Sequence, residues 1–347
     1  MKKINTALCS FGMSGWVFHA PFISINPGFN LYGVWERSKD LAKEKYPQVR
    51  TFRDLDSMLA DDEIELVVVN TPNYTHYDYV CKALKAGKHV IVEKPFTVTV
   101  EEGEALKKLA EDNNLKLSVY HNRRYDSDYK TIRKVLHHKL LGDIIEVEMH
   151  FDRFKEDLSP KVHKEIPGPG AGALYDLGSH LIDQALQLFG YPEAVFGDIR
   201  IVRPISKVDD YFDVLLYYPK LRVRLKSSYQ VREPLPGYII HGSKGSFIKS
   251  KTDVQETMLQ AGISPATEGW GIEPATEKGL LHTEINGEVI REYIQSLHGN
   301  YGEYYTAMYE AIRNNEPLPV TATEGIQVVK IIIAAIKSSE EKRVVAL

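Results

Sequence analysis

The sequence has few cysteines, no long apolar run and no excess of one charge. Only Cys9 and Cys81 occur among 347 residues, too few for a disulfide framework, so we expect a reducing, cytoplasmic environment. No apolar stretch approaches the roughly 18 residues of a membrane-spanning helix, and the opening M-K-K-I-N-T does not resemble a secretory signal. The formal net charge of −4 gives no reason to expect nucleic acid or an anionic membrane as a partner.

Length and pattern favour two domains. Apolar, strand-like runs occur at 4–9, 31–36, 64–72, 89–95 and 115–120, and helical patterns lie between them, including 38–45, 76–86 and 100–112. Because these runs are apolar on both faces, they indicate a parallel sheet covered by helices on both sides. We therefore predict an α/β, doubly wound Rossmann domain over residues 1–122.

The second half has a different period. Residues 144–154 alternate apolar and polar side chains, as in an antiparallel strand with one polar face. Further strand candidates follow without intervening helices at 194–203, 211–218, 222–231, 238–242 and 245–249. We predict an α+β domain over 123–347 with a large, mainly antiparallel open sheet. The pattern is poor from 252 to 300, where we expect long loops, with Trp270 either in a lid or anchoring a loop.

The first strand is followed by a turn of the form G-x-G-x-x-G with serine in place of the first glycine. Its residues are Ser10, Phe11, Gly12, Met13, Ser14 and Gly15. Gly12 would let the backbone approach a pyrophosphate, Gly15 would allow close packing of helix on strand, and the helix N-terminus would attract phosphate. The motif alone is weak, since a glycine-containing strand-to-helix turn is often only a turn.

Charged residues follow the second strand. Glu36 lies where a carboxylate would hydrogen-bond an adenosine ribose, whereas Arg37, Ser38 and Lys39 could hold a 2′-phosphate. The alternative is a solvated helix start. The choice between NAD and NADP stays open at this point, with a lean to NADP.

Polar residues also end the next two strands, where ligands bind in such sheets. Thr71, Pro72, Asn73 and His76 follow the third strand, although Asn73 could simply cap a helix. The run 89–95 ends in Glu93, Lys94 and Pro95. Pro95 cannot continue the sheet, so the chain leaves it directly after Lys94, whose ammonium would need a counter-charge such as Glu93.

Residues 173–189 read as a helix that stops at Gly190. Asp176 and His180 are four apart and share a face. A lone Asp–His pair is more often structural than catalytic. A metal site is a further alternative, but no third ligand stands at suitable spacing, so we expect none.

These runs together resemble the Gfo/Idh/MocA oxidoreductases, the glucose-fructose oxidoreductase and inositol dehydrogenase family. The resemblance rests on S-F-G-M-S-G, T-P-N-Y-T-H, E-K-P, H-N-R-R-Y-D at 121–126 and Y-D-L-G-S-H-L-I-D-Q at 175–184, and it covers nearly the whole chain. It implies NAD(P)-linked alcohol–carbonyl interconversion on a sugar or a cyclic polyol such as scyllo-inositol. It also implies a homodimer or homotetramer formed through the C-terminal sheet.

Both the chemistry and the resemblance point to three catalytic residues. His180 would be the general base, Asp176 would orient it, and Lys94 would stabilise the substrate oxygen. Asn122 and Arg123 should lie where cofactor meets substrate, while Arg124, Tyr125 and Asp126 could instead begin the next helix. Arg153, Lys155 and Tyr175 are weaker candidates for gripping substrate.

Two other functions fit the same resemblance. One is an NAD-dependent glycosidase with a transient redox step, and the other is a cofactor-bound sensor without turnover. The set Lys94, Asp176 and His180 argues against the sensor.

Overall fold

The computed structural model describes residues 2–159 and 164–347. The chain folds into two compact units. Unit 1 contains the described residues up to Asn122 together with Gln255–Trp270 and Asn300–Ile326. Unit 2 contains Arg123–Val254, Gly271–Gly299 and Gln327–Leu347.

Unit 1 is built on a six-stranded, wholly parallel sheet with strand order β3-β2-β1-β4-β5-β6. The strands are β1 (Ile4–Leu8), β2 (Phe29–Trp35), β3 (Arg50–Phe52), β4 (Leu66–Val69), β5 (His89–Glu93) and β6 (Leu117–Tyr120). All four β4 residues are fully buried, as the continuous apolar run predicts. This strand order is that of the dinucleotide-binding fold, so the predicted Rossmann domain is confirmed.

Short helices connect these strands. They are α1 (Ala20–Ile25), α2 (Leu41–Lys45), α3 (Leu55–Leu59), α4 (His76–Lys85) and α5 (Val100–Asp112). Strand β3 and helix α3 were not predicted, because three and five residues are too short to show a period. A π-helical turn, Gly15–His19, precedes α1.

Two later segments complete unit 1, although the predicted boundary assigned them to the second domain. They carry α8 (Gln255–Gln260) and α9 (Gly302–Arg313). Tyr304 is fully buried, and its hydroxyl donates to Ser118 Oγ at 2.7 Å. Ser118 Oγ in turn donates to the Val320 carbonyl at 2.8 Å. The later segments therefore pack directly on β6.

Unit 2 is built on a nine-stranded sheet with strand order β14-β13-β12-β11-β7-β10-β9-β8-β15. The strands are β7 (Ile144–His150), β8 (Ala194–Arg200), β9 (Tyr211–Tyr217), β10 (Arg222–Ser228), β11 (Tyr238–Gly242), β12 (Gly245–Lys249), β13 (Gly279–Ile285), β14 (Glu288–Ile294) and β15 (Val345–Ala346). Only the β7–β10 pair is parallel. The predicted large, mainly antiparallel sheet is confirmed.

The helices α6 (Ser127–His137), α7 (Ser179–Phe189) and α10 (Ala322–Glu341) accompany this sheet. The first residues of α10, up to Ile326, belong to unit 1. The core includes Leu181, Ile182, Phe212, Val223 and Ile331, all fully buried. Alternate residues of β9, namely Phe212, Val214 and Leu216, are buried, which is the pattern of a sheet with one covered face.

The expectation of long loops over 252–300 holds for residues 261–278, which form no helix or strand, but not for the rest. This stretch contains α8 and the hairpin β13–β14, whose strands pair from Gly279↔Ile294 to Ile285↔Glu288. Its turn is Asn286-Gly287, and both residues have positive φ, 54° and 84°. Asn-Gly is a strong signal for a hairpin turn, so the sequence did indicate a turn at this position.

Trp270 anchors a loop rather than forming a lid. Its side chain is buried, and its ring stands edge-on to Phe22 at 6.2 Å between centroids. The indole Nε1 donates to Gln255 Oε1 at 3.3 Å, and the same oxygen accepts the Tyr301 N–H at 2.8 Å. The two late segments of unit 1 are thereby joined to each other.

Within residues 2–159 and 164–347, no helix combines the length and the apolar character needed to cross a bilayer.

Candidate active site

The turn after β1 is held by Asn70, at the end of β4. Asn70 Oδ1 accepts the Ser10 N–H at 3.0 Å, Asn70 Nδ2 donates to the Ser10 carbonyl at 2.9 Å, and Ser10 Oγ donates to the Asn70 carbonyl at 3.1 Å. Ser10, which replaces the usual first glycine, thus uses its hydroxyl to join the ends of two neighbouring strands. The sequence analysis did not identify Asn70.

The two glycines of this turn have different surroundings. A Cβ on Gly15 would stand 2.4 Å from the Ser10 carbonyl oxygen and 3.0 Å from Asn70 Nδ2, whereas a Cβ on Gly12 would meet only Ser10 Oγ, at 3.7 Å. Gly12 is exposed, Met13 is half-buried, and Phe11 is buried edge-on to Tyr46 at 6.2 Å. The turn therefore packs tightly at Gly15 and leaves open backbone at Gly12, which fits a bound pyrophosphate.

The carboxylate of Glu36 is already hydrogen-bonded within the protein. It is 7% exposed, and its two carboxylate oxygens accept the backbone N–H groups of Leu41 and Ala42 at 3.1 and 3.0 Å. The carboxylate thus caps α2, so the helix-start alternative describes it better than the predicted ribose contact does.

Arg37, Ser38 and Lys39 are exposed and, within the described part of the chain, their side chains make no hydrogen bond or ion pair. Arg53 fixes the backbone beneath them by donating to the carbonyls of Glu36 and Lys39 at 3.1 and 2.6 Å. Arg53 thus fixes the backbone of residues 36–39, and the side chains of Arg37, Ser38 and Lys39 remain available to a phosphate.

The turn after β4 is supported by a buried histidine. His76 is 1% exposed; its Nε2 lies 3.0 Å from the Thr71 carbonyl, and its Nδ1 lies 3.0 Å from the Pro95 carbonyl. Burial lowers the pKa of His76, and the carbonyl hydrogen bonds oppose this only in part. His76 therefore supports two loops, and its contact with the cofactor stays a prediction.

The neighbouring residues complete that turn. Thr71 Oγ1 lies 2.6 Å from Thr75 Oγ1, and the Pro72 carbonyl accepts the Thr75 N–H at 2.9 Å. Asn73 opens a 3-10 turn, Asn73–Thr75, that leads into α4. Thr71, Pro72 and Asn73 are half-buried at the carboxyl end of a central strand, where ligands of such sheets bind.

Glu93 ends β5 and lies at the centre of a buried network. Ser14 Oγ donates to Glu93 Oε1, and His19 Nε2 lies 3.0 Å from the same oxygen. His19 is fully buried, and its Nδ1 lies 2.6 Å from the Tyr305 hydroxyl. The other carboxylate oxygen accepts the Lys94 backbone N–H at 3.2 Å.

This network keeps Glu93 ionised. Burial by itself would raise the pKa of Glu93, but the hydrogen bond and charge of His19, the hydrogen bond of Ser14 and the charge of Lys94 outweigh it and lower the pKa to about 2. A fixed anion therefore stands directly before the half-buried Lys94, as the sequence led us to expect. His19 and Tyr305 were not predicted, because 286 positions separate them.

The segment after β6 is a 3-10 turn, Asn122–Tyr125, followed by α6. Arg124 donates to Asp183 through Nε at 2.9 Å and Nη2 at 2.6 Å, and both side chains are buried. Arg124 is thus structural, although it lies in the 3-10 turn and does not begin α6, as our alternative held. Asn122 is also buried, at 5% exposed.

Arg123 and Asp126 lie close to each other and to further charged side chains. Arg123 Nη1 lies 3.3 Å from Asp126 Oδ2, and Lys251 Nζ lies 3.4 Å from the same oxygen. Burial and the charge of Asp253 nonetheless raise the pKa of Asp126 to about 7, against the lowering effect of both cations.

Asp176 and His180 lie on consecutive helical segments of unit 2. Asp176 belongs to a π-helical turn, Leu174–Gly178, and His180 to α7, so the predicted single helix over 173–189 has two geometries. Asp176 Oδ1 pairs with Lys164 Nζ at 2.8 Å. His180 is 5% exposed, and its ring centroid lies 6.5 Å from that of Phe151.

Both π-helical turns, Gly15–His19 and Leu174–Gly178, carry residues of the predicted site. Such turns are rare and often mark functional positions. Tyr175 is buried in the second turn, and Arg153 is half-buried with its guanidinium 5.1 Å from the Phe151 ring centre. Phe151, absent from our predictions, is therefore a common neighbour of His180 and Arg153.

The fold and these residues agree with comparisons to known proteins. Residues 4–121 match the family described as "Oxidoreductase family, NAD-binding Rossmann fold", and residues 133–347 match "Oxidoreductase family, C-terminal alpha/beta domain". The chain belongs to the Gfo/Idh/MocA oxidoreductase family. The predicted resemblance is confirmed.

Several relatives cover the whole chain. A scyllo-inositol 2-dehydrogenase (NADP(+)) of Bacillus subtilis is 39% identical over 347 residues, covering 100% of this chain and 97% of the relative. Crystal structures from Bacteroides fragilis and Bacillus cereus are 47% and 34% identical, both with a TM-score of 0.92; the first covers 100% of both chains and the second 99% of both.

The Gfo/Idh/MocA chain is therefore a dehydrogenase with an NAD(P)-binding Rossmann domain. The open backbone at Gly12 and the exposed side chains of Arg37 and Ser38 could hold the cofactor. Among residues 2–159 and 164–347 there is no group of three or more His, Cys, Asp or Glu side chains placed to hold a metal ion.

Proposed function

We propose that this dehydrogenase interconverts a hydroxyl and a carbonyl on a sugar or cyclic polyol. The observation that carries the proposal is the 39% identity, over the full chain, to a scyllo-inositol 2-dehydrogenase (NADP(+)). Scyllo-inositol or a close relative is therefore the first substrate to test.

NADP is the proposed cofactor. In sites selective for NAD, a carboxylate after the second strand binds the adenosine ribose, but here both oxygens of Glu36 accept backbone N–H groups of α2. The exposed Arg37 and Ser38 follow immediately, and a guanidinium suits the 2′-phosphate. Arg37→Ala should weaken NADPH binding about tenfold while changing NADH binding little.

We assign the chemistry to three residues. The nicotinamide, when bound, accepts or supplies the hydride. His180 would take the hydroxyl proton, because an imidazole titrates near neutral pH. Asp176 would orient His180, and the Lys94 ammonium would favour the alkoxide-like form of the substrate oxygen. The Glu93 carboxylate would hold the Lys94 backbone in place.

The test is to purify the chain and follow nicotinamide reduction with inositols and sugars. His180→Ala should lower kcat by about a hundredfold or more with NADPH affinity nearly unchanged. Equal loss of turnover and cofactor binding would refute the role of His180, and the absence of any reaction with every compound would refute the substrate class.

We also propose a homo-oligomer formed through the unit 2 sheet. Ile145 on β7 and Val289 and Tyr293 on β14 are exposed by 54%, 71% and 62%, and apolar side chains exposed on a sheet are typical of interfaces. Light scattering on the purified protein would measure the assembly size.

A further inference from the structure

The strand β7 continues into an extended segment, Phe151–Lys155, that carries two cations. Its backbone bonds to the end of β10: Phe151 N donates to the Lys226 carbonyl at 3.0 Å, and Arg153 N donates to the Ser228 carbonyl at 2.9 Å. Alternate residues of an extended chain share a face. Accordingly the Arg153 guanidinium lies 5.1 Å from the Phe151 ring centre.

This face borders the candidate catalytic residues of unit 2. The Phe151 ring that Arg153 contacts is also the neighbour of the His180 ring, at 6.5 Å. Lys155 follows, with its ammonium 5.5 Å from the Tyr229 ring centre, and both Lys155 and Tyr229 are within the electrostatic reach of Asp176. Arg153 therefore shares the Phe151 ring with His180, and Lys155 is within the electrostatic reach of Asp176.

Two other cations of this region already have carboxylate partners. Lys164 pairs with Asp176 at 2.8 Å, and Arg203 pairs with Asp210 at 2.8 Å. Arg153 and Lys155 differ, since neither has an ion pair or a side-chain hydrogen bond with any residue in the described ranges 2–159 and 164–347. Both are half-buried.

The electrostatics of Lys155 agree with a surplus of positive charge. Burial lowers the pKa of Lys155, the charge of Arg153 lowers it further, and the charge of Asp176 only partly offsets these effects. Two half-buried cations without an ion-pair partner are unfavourable in the free protein. An anion delivered by a ligand would relieve that cost.

Resting on the proposed function, we infer that the substrate is a sugar or polyol bearing a carboxylate or phosphate, and that Arg153 and Lys155 bind this anionic group. A guanidinium matches either anion with two parallel hydrogen bonds, and an ammonium adds a point charge. A neutral polyol would leave both cations without an ion-pair partner. The competing explanation is that the two side chains only cover Phe151 and Tyr229 through cation–π contacts.

The experiment compares kcat/KM for neutral and acidic compounds with the full-length protein and NADP. The neutral set is scyllo-inositol and glucose, the carboxylate set is gluconate and glucuronate, and the phosphate set is glucose 6-phosphate and an inositol monophosphate. We expect at least one acidic compound to exceed every neutral one. Arg153→Gln and Lys155→Gln should each lower the acidic-to-neutral ratio of kcat/KM by about tenfold to a hundredfold, mainly through KM.

Arg232→Gln is the matched control. Arg232 also stacks on an aromatic ring of this segment, with its guanidinium 3.9 Å from the centre of the Phe154 ring. Phe154 is exposed, and because it is adjacent to Arg153 in an extended chain, its side chain lies on the opposite face. This variant should leave the ratio unchanged. Thermal midpoints of all three variants monitor folding.

The outcomes separate the two proposals. Neutral polyols that react as well as acidic ones, or a ratio that Arg153→Gln and Lys155→Gln do not move, would overturn the anionic-substrate inference and leave the polyol dehydrogenase standing. No turnover with any compound of the three sets would instead overturn the proposed function itself. The carboxylate and phosphate sets identify which anion the site takes.

Discussion

At the scale of single residues, the two glycines of the β1–α1 turn differ in how much space surrounds them. Gly15 is required by the protein, because the space for a side chain is filled by the Ser10 carbonyl and the Asn70 amide. The fold leaves room beside Gly12, where an added Cβ would meet only Ser10 Oγ at 3.7 Å, so we propose that a bound pyrophosphate limits this position. One motif thus combines a folding constraint with a binding constraint.

Alanine substitutions should separate these constraints. Gly15→Ala should destabilise the protein by about 1–3 kcal/mol, because the new Cβ overlaps backbone that cannot move freely. Gly12→Ala should leave the unfolding midpoint nearly unchanged and weaken NADPH binding. Denaturant unfolding and a fluorescence titration measure the two effects. Equal stability of both variants would show that the surroundings of Gly15 can yield to a side chain.

The Glu93 network predicts a specific dependence of stability on pH. The folded pKa is lowered from 4.5 to about 2, so Glu93 stabilises the fold above its unfolded pKa, and this contribution is lost as the pH falls toward about 2. Glu93→Gln should therefore reduce the loss of thermal stability in that window. Glu292→Gln, at an exposed site on β14, is the control. Identical pH profiles for the wild type and Glu93→Gln would contradict the assignment.

At the scale of elements, hydrophobic pattern predicted long strands and helices well and short ones poorly. Helix α5 and strands β11 and β12 have the predicted ends, since a capping box at Thr99 and clear alternation define them. The polar hairpin β13–β14 was missed because most of β14 is exposed, so its strands lack a strong apolar period. Its Asn-Gly turn was the remaining signal.

This hairpin turn gives a second stability prediction. Gly287 has φ of 84°, and a Cβ added to it would have no atom within 4 Å, so Gly287→Ala introduces backbone strain alone. We expect a loss of about 1–2 kcal/mol in unfolding free energy. Gly168→Ala is the control, because its nearest neighbour is the Ile166 carbonyl at 4.0 Å and its φ is not positive. Equal effects of the two substitutions would contradict the explanation.

At the scale of the whole molecule, the chain does not divide at one point. Unit 1 takes its last two segments from beyond residue 254, and Tyr301, Tyr304, Tyr305 and Met308 are fully buried in it. The sequence predicted both sheets and the strand ends that carry the candidate site. It could not predict contacts such as His19–Tyr305 or Ser10–Asn70, since these depend on tertiary packing and leave no local pattern.

A fragment ending at residue 122 should therefore fold poorly. Without the later segments, the surfaces that pack on Tyr304 and Tyr305 would be exposed, and Glu93 would lose the Tyr305 support of His19. We expect weak, non-cooperative unfolding and little NADPH binding compared with the full chain, measured by circular dichroism and titration. A fragment that melts cooperatively and binds NADPH would show that residues 1–122 are a self-sufficient domain.

The Ser10–Asn70 pairing depends on an amide side chain at position 70. Asn70 uses its amide nitrogen as a donor and its amide oxygen as an acceptor toward one residue, a combination that no carboxylate can reproduce. Deamidation would put an oxygen where the nitrogen now stands, 2.9 Å from the Ser10 carbonyl, and turn an attraction into a repulsion. Loss of this one amide would therefore loosen the turn between β1 and α1 without any other change in the chain.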